Sequence, residues 1–160
     1  MGSAGTLPTP LGRLTLRTFS IPGRQEESRP STRVRVGTDL VEIAKVRRVF
    51  EARPDLLASI FTEEELNYSR ARRPMYPHLA ARFAAKEATL KALGTGLTAS
   101  LAWKDIEVTK ELSGAPRLAL HGAAAEIAGS QGLAGSSLSL SHSAHVAIAV
   151  VLLLNDGVAR

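Results

Sequence analysis

The stretch Arg82-Phe83-Ala84-Ala85-Lys86-Glu87-Ala88-Thr89-Leu90-Lys91-Ala92-Leu93-Gly94-Thr95-Gly96 decides how the rest of the chain is read. Ala, Leu, Lys and Glu dominate it, and these are strong helix formers. Gly94 follows the last apolar residue, where a left-handed C-cap sits. Leu79, Phe83, Leu90 and Leu93 recur at helical spacing and make one apolar stripe. Pro74 and Pro77 mark a break upstream, so a helix is predicted over about 77–93. Glu87 and Lys91 are four apart and share a face, as do Arg82 and Lys86. One acid among three cations, beside a Gly-Thr-Gly turn, suits a metal ion and a polyanion such as a diphosphate. The same residues read equally as a surface helix with one ion pair.

Upstream, residues 34–38 alternate and are β-branched, which predicts a strand. Asp39-Leu40-Val41-Glu42 has the D-x-x-E spacing of a capping box, so a helix is predicted from there to about Arg53, stopped by Pro54. Thr62-Glu63-Glu64-Glu65 is a second capping box and opens another helix, to about Arg72. Downstream, residues 104–110 alternate, 113–116 form a turn, and 117–120 return as a strand, which is a hairpin. An Ala-rich helix is expected over about 122–129, then strands over 136–141 and 144–154. The order β-α-α-α-β-β-α-β-β predicts an α+β fold with a largely antiparallel sheet.

The 160 residues make one domain, here 33–156, with a real core. Residues 1–32 are rich in Gly, Ser, Thr, Pro and Arg, with no acid before Glu26, and are expected to be a disordered extension. Such a leader fits a dispensable bacterial extension or an upstream start codon better than an organelle transit peptide. The net charge of +5 favours an acidic partner: nucleic acid, a phosphorylated small molecule or an acidic protein. The chain has no cysteine, which excludes disulfides and thiolate chemistry and suits the cytoplasm. No apolar run reaches membrane-spanning length, so no membrane partner is expected.

Asp39 and Glu87 are the acids best placed for a hard cation, and Mg²⁺ is typically held by one or two carboxylates plus phosphate oxygens and waters. By pattern alone Asp39 is first a helix N-cap. Lys86 and Lys91 would neutralise phosphate, or line a solvated helix face. Gly94-Thr95-Gly96 would turn backbone N–H groups to a phosphate, or simply end the helix. His142 lies at a strand end between Ser141 and Ser143; with His145 it lacks a third metal ligand. There is no Gly-rich phosphate loop, dinucleotide fingerprint or nucleophile elbow. The first helix carries Lys45, Arg47, Arg48 and Arg53 on one face. It lacks interleaved aromatics, which disfavours single-stranded nucleic acid.

Taken together the pieces resemble one family, the bacterial holo-[acyl-carrier-protein] synthases, which are short 4′-phosphopantetheinyl transferases. The matching words are Val36-Gly37-Thr38-Asp39-Leu40-Val41-Glu42-Ile43, Phe61-Thr62-Glu63-Glu64-Glu65, the core from Arg82 to Gly96, Asp105-Ile106-Glu107-Val108, Gly114-Ala115-Pro116 and Ser139-Leu140-Ser141-His142-Ser143. They cover about 34–154 in the family's order. The resemblance implies that Asp39 and Glu87 hold Mg²⁺ with the coenzyme A pyrophosphate. It places Lys91 beside the transferred phosphate, with Glu87 as candidate base. Arg82, Phe83 and Lys86 would line the coenzyme pocket, and His142 with its flanking serines would approach the 3′-phosphate. Lys45, Arg48 and Arg53 would dock the acidic helix of an apo acyl carrier protein. It also implies a homotrimer with active sites shared between subunits, Asp39 and Glu87 together, and His142 near the same cleft. Larger relatives carry a third metal-binding acid two residues after the first; here that position is Val41. The competing readings are a trimeric coenzyme-binding module without activity and a basic nucleic-acid binder. The Asp39, Glu87 and Lys91 set argues against the former, and confinement of the cations to one helix argues against the latter.

Overall fold

The computed structural model describes residues 32–97 and 100–156. The extension expected over 1–32 therefore lies outside the described residues, apart from Thr32. The chain runs β1 (Arg33–Glu42), α1 (Ile43–Ala52), α2 (Asp55–Ile60), α3 (Glu63–Arg70) and α4 (Tyr76–Leu93). A 3₁₀ turn at Trp103–Asp105 leads to β2 (Ile106–Lys110) and β3 (Pro116–Leu120), then α5 (Gly122–Ser130), β4 (Leu133–His142) and β5 (Val146–Asn155). One sheet has the order β1-β5-β4, every pair antiparallel; β2 and β3 form a separate hairpin. The α+β class stands.

α4 is the axis of the molecule. Beyond the predicted stripe it is enclosed on nearly every side, because alanines fill the positions between the leucines: Ala80, Ala81, Ala84, Ala85, Ala88 and Ala92 are all buried. Small side chains let the sheet come close. A Cβ on Gly37 would collide with the backbone carbonyl of Ala88, so only glycine allows β1 this approach. One core cluster joins α4 to β5, β2, β3 and α5 through residues such as Leu93, Ile106 and Leu153. A second joins it to α1, α2 and α3 through Val46, Phe50, Phe61 and Leu79. α4 ends as predicted: Gly94 adopts φ 71°, and the Gly94 and Thr95 amides donate back to Lys91 and Leu90.

Two expectations are corrected. Asp39-Leu40-Val41-Glu42 is strand, not the start of a helix. β1 pairs with β5 over its whole length, with Asp39 opposite Ala149 and Glu42 opposite Val146. Ladder pairing along the whole ten-residue length of β5 outweighs a local capping pattern. α1 begins only at Ile43, without a side-chain cap. The second correction is α2, absent from the sequence reading. Six residues behind Pro54 carry too little periodicity to register; packing of Leu56, Leu57 and Ile60 on the second core cluster defines the helix.

The Thr62 capping box forms as predicted. Thr62 Oγ1 accepts from the Glu65 amide at 3.3 Å, and Glu65 Oε2 accepts from the Thr62 amide at 2.9 Å. Glu65 also accepts the Val108 amide at 3.0 Å and binds Lys86 Nζ at 2.9 Å, with both charged side chains fully buried.

Candidate functional site: a carboxylate cleft and a basic cleft

β1 and α4 bring the two predicted acids together. In β1 the alternation points Gly37, Asp39 and Val41 at the helix, and Glu87 faces them from α4. Both acids line a cleft of about 460 Å³, walled by Val46, Val49, Phe50 and Phe83, with Lys45 at its edge. Lys91, one turn after Glu87, donates to Asp39 Oδ1 at 2.8 Å and to the Thr38 carbonyl at 3.0 Å. Burial and the neighbouring Asp39 charge push the Glu87 carboxyl up, with Lys91 opposing them. Its hydrogen bond to Asp39 is the main cause that raises the Lys91 ammonium. Two crowded carboxylates facing one ammonium are a hard oxygen donor set with a charge still to be balanced. That is where a divalent cation would fit.

Other site residues behave differently. Lys86 is not a coenzyme ligand: its Nζ is enclosed in the core, bound by Glu65 and donating to the Ile106 carbonyl and, at 3.1 Å, to that of Trp103. Burial lowers its pKa, and Glu65 opposes the shift. The Gly94 and Thr95 amides are committed to the helix cap, so the turn ends α4 and does not offer those N–H groups to a phosphate. Ser143 Oγ accepts from the His145 and Val146 amides and shapes the β4–β5 turn. Ser141 stands on the sheet face opposite to His142. On α1, Arg47 is held by Glu51, and just beyond its end Arg53 is held by Asp55 through two bonds of 2.9 and 2.7 Å. Among the described residues Lys45 and Arg48 have no ion pair.

Arg82 and His142 are brought together, but not with the carboxylates. They line a second cleft of about 240 Å³ with Tyr68, His78 and Lys110. The expectation of His142 beside Asp39 and Glu87 therefore fails within one chain, because β5 stands between β4, which carries His142, and β1, which carries Asp39. Arg82 and Arg72 stack on the Tyr68 ring at 3.8 and 3.4 Å, and Arg82 Nε is buried with no acceptor. Tyr68, Arg72 and His78 are missed by the sequence reading. They stand on separate elements, and only the basic run from Arg70 to Arg73 hints at them.

Residues 35–150 match the model of the 4′-phosphopantetheinyl transferase superfamily. The chain belongs to this family. Its relatives include the holo-[acyl-carrier-protein] synthase of Moorella thermoacetica, 46% identical over 72% of this chain and 90% of the relative. That of Geobacter sp. (strain M21) is 44% identical over 73% and 94%. Among solved structures, the coenzyme A complex of the synthase from Chronobacterium ammoniagenes aligns with a TM-score of 0.69 at 30% identity, covering 78% of this chain and 98% of that one. The Bacillus anthracis synthase with coenzyme A (3′,5′-ADP) aligns at 0.63 and 30% identity, covering 76% and 96%. Membership of the transferase superfamily makes the carboxylate cleft the first candidate for chemistry and the basic cleft a candidate for the charged end of a nucleotide.

Proposed function

We propose that this protein transfers 4′-phosphopantetheine from coenzyme A to a serine hydroxyl of an apo acyl carrier protein, releasing adenosine 3′,5′-bisphosphate in the cytoplasm. The observation that carries this reading is the Asp39–Glu87 pair held against Lys91 in one cleft of a chain from this family. The donor set fits Mg²⁺, which Asp39 and Glu87 would hold and which would supply charge neutralisation at the diphosphate.

The residues of the chain do the rest. Lys91, bonded to Asp39 beside Glu87, would neutralise charge gathering on the phosphate, with Phe83 on the wall of the cleft. The serine oxygen attacks the β-phosphorus and the bond to the bridging oxygen breaks. The leaving bisphosphate carries off the electron pair. Glu87, while ionised, is the candidate acceptor for the serine proton, directly or through a water, and its raised carboxyl makes it the stronger base. The basic cleft, with Arg82 and His142, would take the coenzyme's 3′-phosphate. Mixing the protein with coenzyme A, Mg²⁺ and an apo carrier protein tests the reading. The carrier should gain the mass of one phosphopantetheine arm; an unchanged carrier mass overturns it.

The carrier would dock on α1 through Lys45 and Arg48, whose charges are unpaired among the described residues, while Arg53 is engaged by Asp55. Reversing Arg48 to Glu should raise the carrier KM by about tenfold at low salt and leave the coenzyme KM unchanged. An unaltered carrier KM would remove Arg48 from the docking surface.

The protein would act as a homotrimer. One sheet face lies on α4; the other presents Val34, Val36, Leu40, Ile148, Leu152 and Leu154 to solvent, 36–59% exposed. A contiguous apolar sheet face of this kind needs a cover. The family resemblance implies active sites shared between subunits, which would account for two separate clefts in a single chain. Sedimentation equilibrium should return the mass of three chains; the mass of one chain rules assembly out.

A further inference from the structure

The basic cleft contains a second imidazole for which the sequence offers no role. His78, in the first turn of α4, meets His142 of β4 edge to face, with ring centroids 5.4 Å apart and planes at 86°. On its other side it meets the Tyr68 ring of α3 at 6.1 Å. Among the described residues the charged groups that line the cleft or stack on it are basic, although the buried Glu65 of α3 also acts on Arg82. Arg72 follows α3, Arg82 lies one turn along α4, and Lys110 ends β2. Among the described residues no carboxylate lines the cleft. Arg82 is 5% exposed, and its buried Nε–H has no acceptor. A buried guanidinium whose Nη1 donates to the His78 carbonyl at 3.3 Å and whose Nε–H is left over has a donor to spare for an anion.

We propose that His78 is a phosphate-binding residue of this chain, taking up a proton as the anion enters the basic cleft. The inference rests on the reading of this cleft as the place for the coenzyme's 3′-phosphate. Without an anion, a charge on His78 would face another imidazole and two guanidiniums in a partly dry site. Burial first, then His142, Arg72 and Arg82, hold His78 toward its neutral form. A phosphate dianion reverses the sign of the field. The charged imidazole then becomes a donor to the anion, and charge-assisted bonds are the stronger kind. His78 thus has its pKa below the ordinary histidine value when free and above it when bound, so affinity rises as pH falls through that window.

Calorimetry of the full chain with adenosine 3′,5′-bisphosphate, in buffers of different ionisation enthalpy at pH 7, tests this. The phosphate itself releases protons on binding as a dianion, because its second ionisation lies near about pH 6. Net uptake therefore reports on the protein. Wild type should take up protons, and affinity should weaken about tenfold from pH 6.5 to 8 beyond the slope of His78→Gln. His78→Gln should lose the uptake while keeping wild-type affinity for adenosine 5′-monophosphate, which lacks the 3′-phosphate and shows that the variant is folded. Uptake that persists in His78→Gln, or disappears only in His142→Gln, overturns the proposal. Wild type that binds the bisphosphate no more tightly than the monophosphate overturns instead the reading of the cleft on which the proposal stands.

Discussion

Replacing Glu87 by Gln should slow transfer to the carrier by about a hundredfold or more. The substitution keeps the shape of the side chain but removes a cation ligand and the proton acceptor at once. Removing one preorganised electrostatic group at such a site costs roughly 3–4 kcal/mol of barrier. The same variant should melt no lower than wild type at pH 7 without added cation. The reason is the sign of the Glu87 shift. Burial and Asp39 raise its carboxyl in the folded state, so folding opposes its ionisation. A group of this kind favours the fold at low pH and loses that advantage as pH rises through its folded pKa. Gln carries no such charge and removes the cost at neutral pH. Mass spectrometry of the carrier over time and a thermal melt give both readouts. Near-wild-type turnover in Glu87→Gln would end the assignment of Glu87; slow turnover with a collapsed melt would make its role structural.

The second large effect is on stability. Lys86→Met should destabilise the protein by about 3–5 kcal/mol, because it leaves Glu65 charged, buried and without its partner. For a domain of this size that lowers the melting temperature by about 10–20 °C. The double variant Glu65→Gln, Lys86→Met should recover much of the loss, since it removes both charges together. The contrast with Lys91→Met is informative. Lys91 is exposed and bonds Asp39 at the cleft, so its loss should lower the melting temperature little and slow transfer strongly. A Lys86→Met protein that melts like wild type would mean that the buried pair contributes nothing to the fold.

Much of this molecule is legible along the chain. The Ala- and Leu-rich pattern marks α4, Gly94 marks its end, and Thr62 with Glu65 marks the start of α3, since each rests on contacts within a few residues. Strand alternation marks β2 and β4, and a continuous apolar run marks β5. Asp39 shows where that logic stops. Its local pattern is a helix cap, yet β5, more than a hundred residues away, holds it in a strand and turns it toward Glu87. Lys86 and Glu87 are adjacent in the sequence and look alike as charged helix residues. A rotation of about 100° between neighbours sends one into the core against Glu65 and the other into the cleft.

Residue pattern makes the chain α+β, sets α4 at its centre, and singles out Asp39, Glu87 and Lys91. Those signals are patterns of residue type, and the family resemblance reads the same patterns. Tertiary structure alone decided that Lys86 is an anchor, that Arg82, His142 and His78 form a separate basic cleft, and that one sheet face is left bare. Burial and pairing depend on which distant surfaces meet, and no local spacing encodes that.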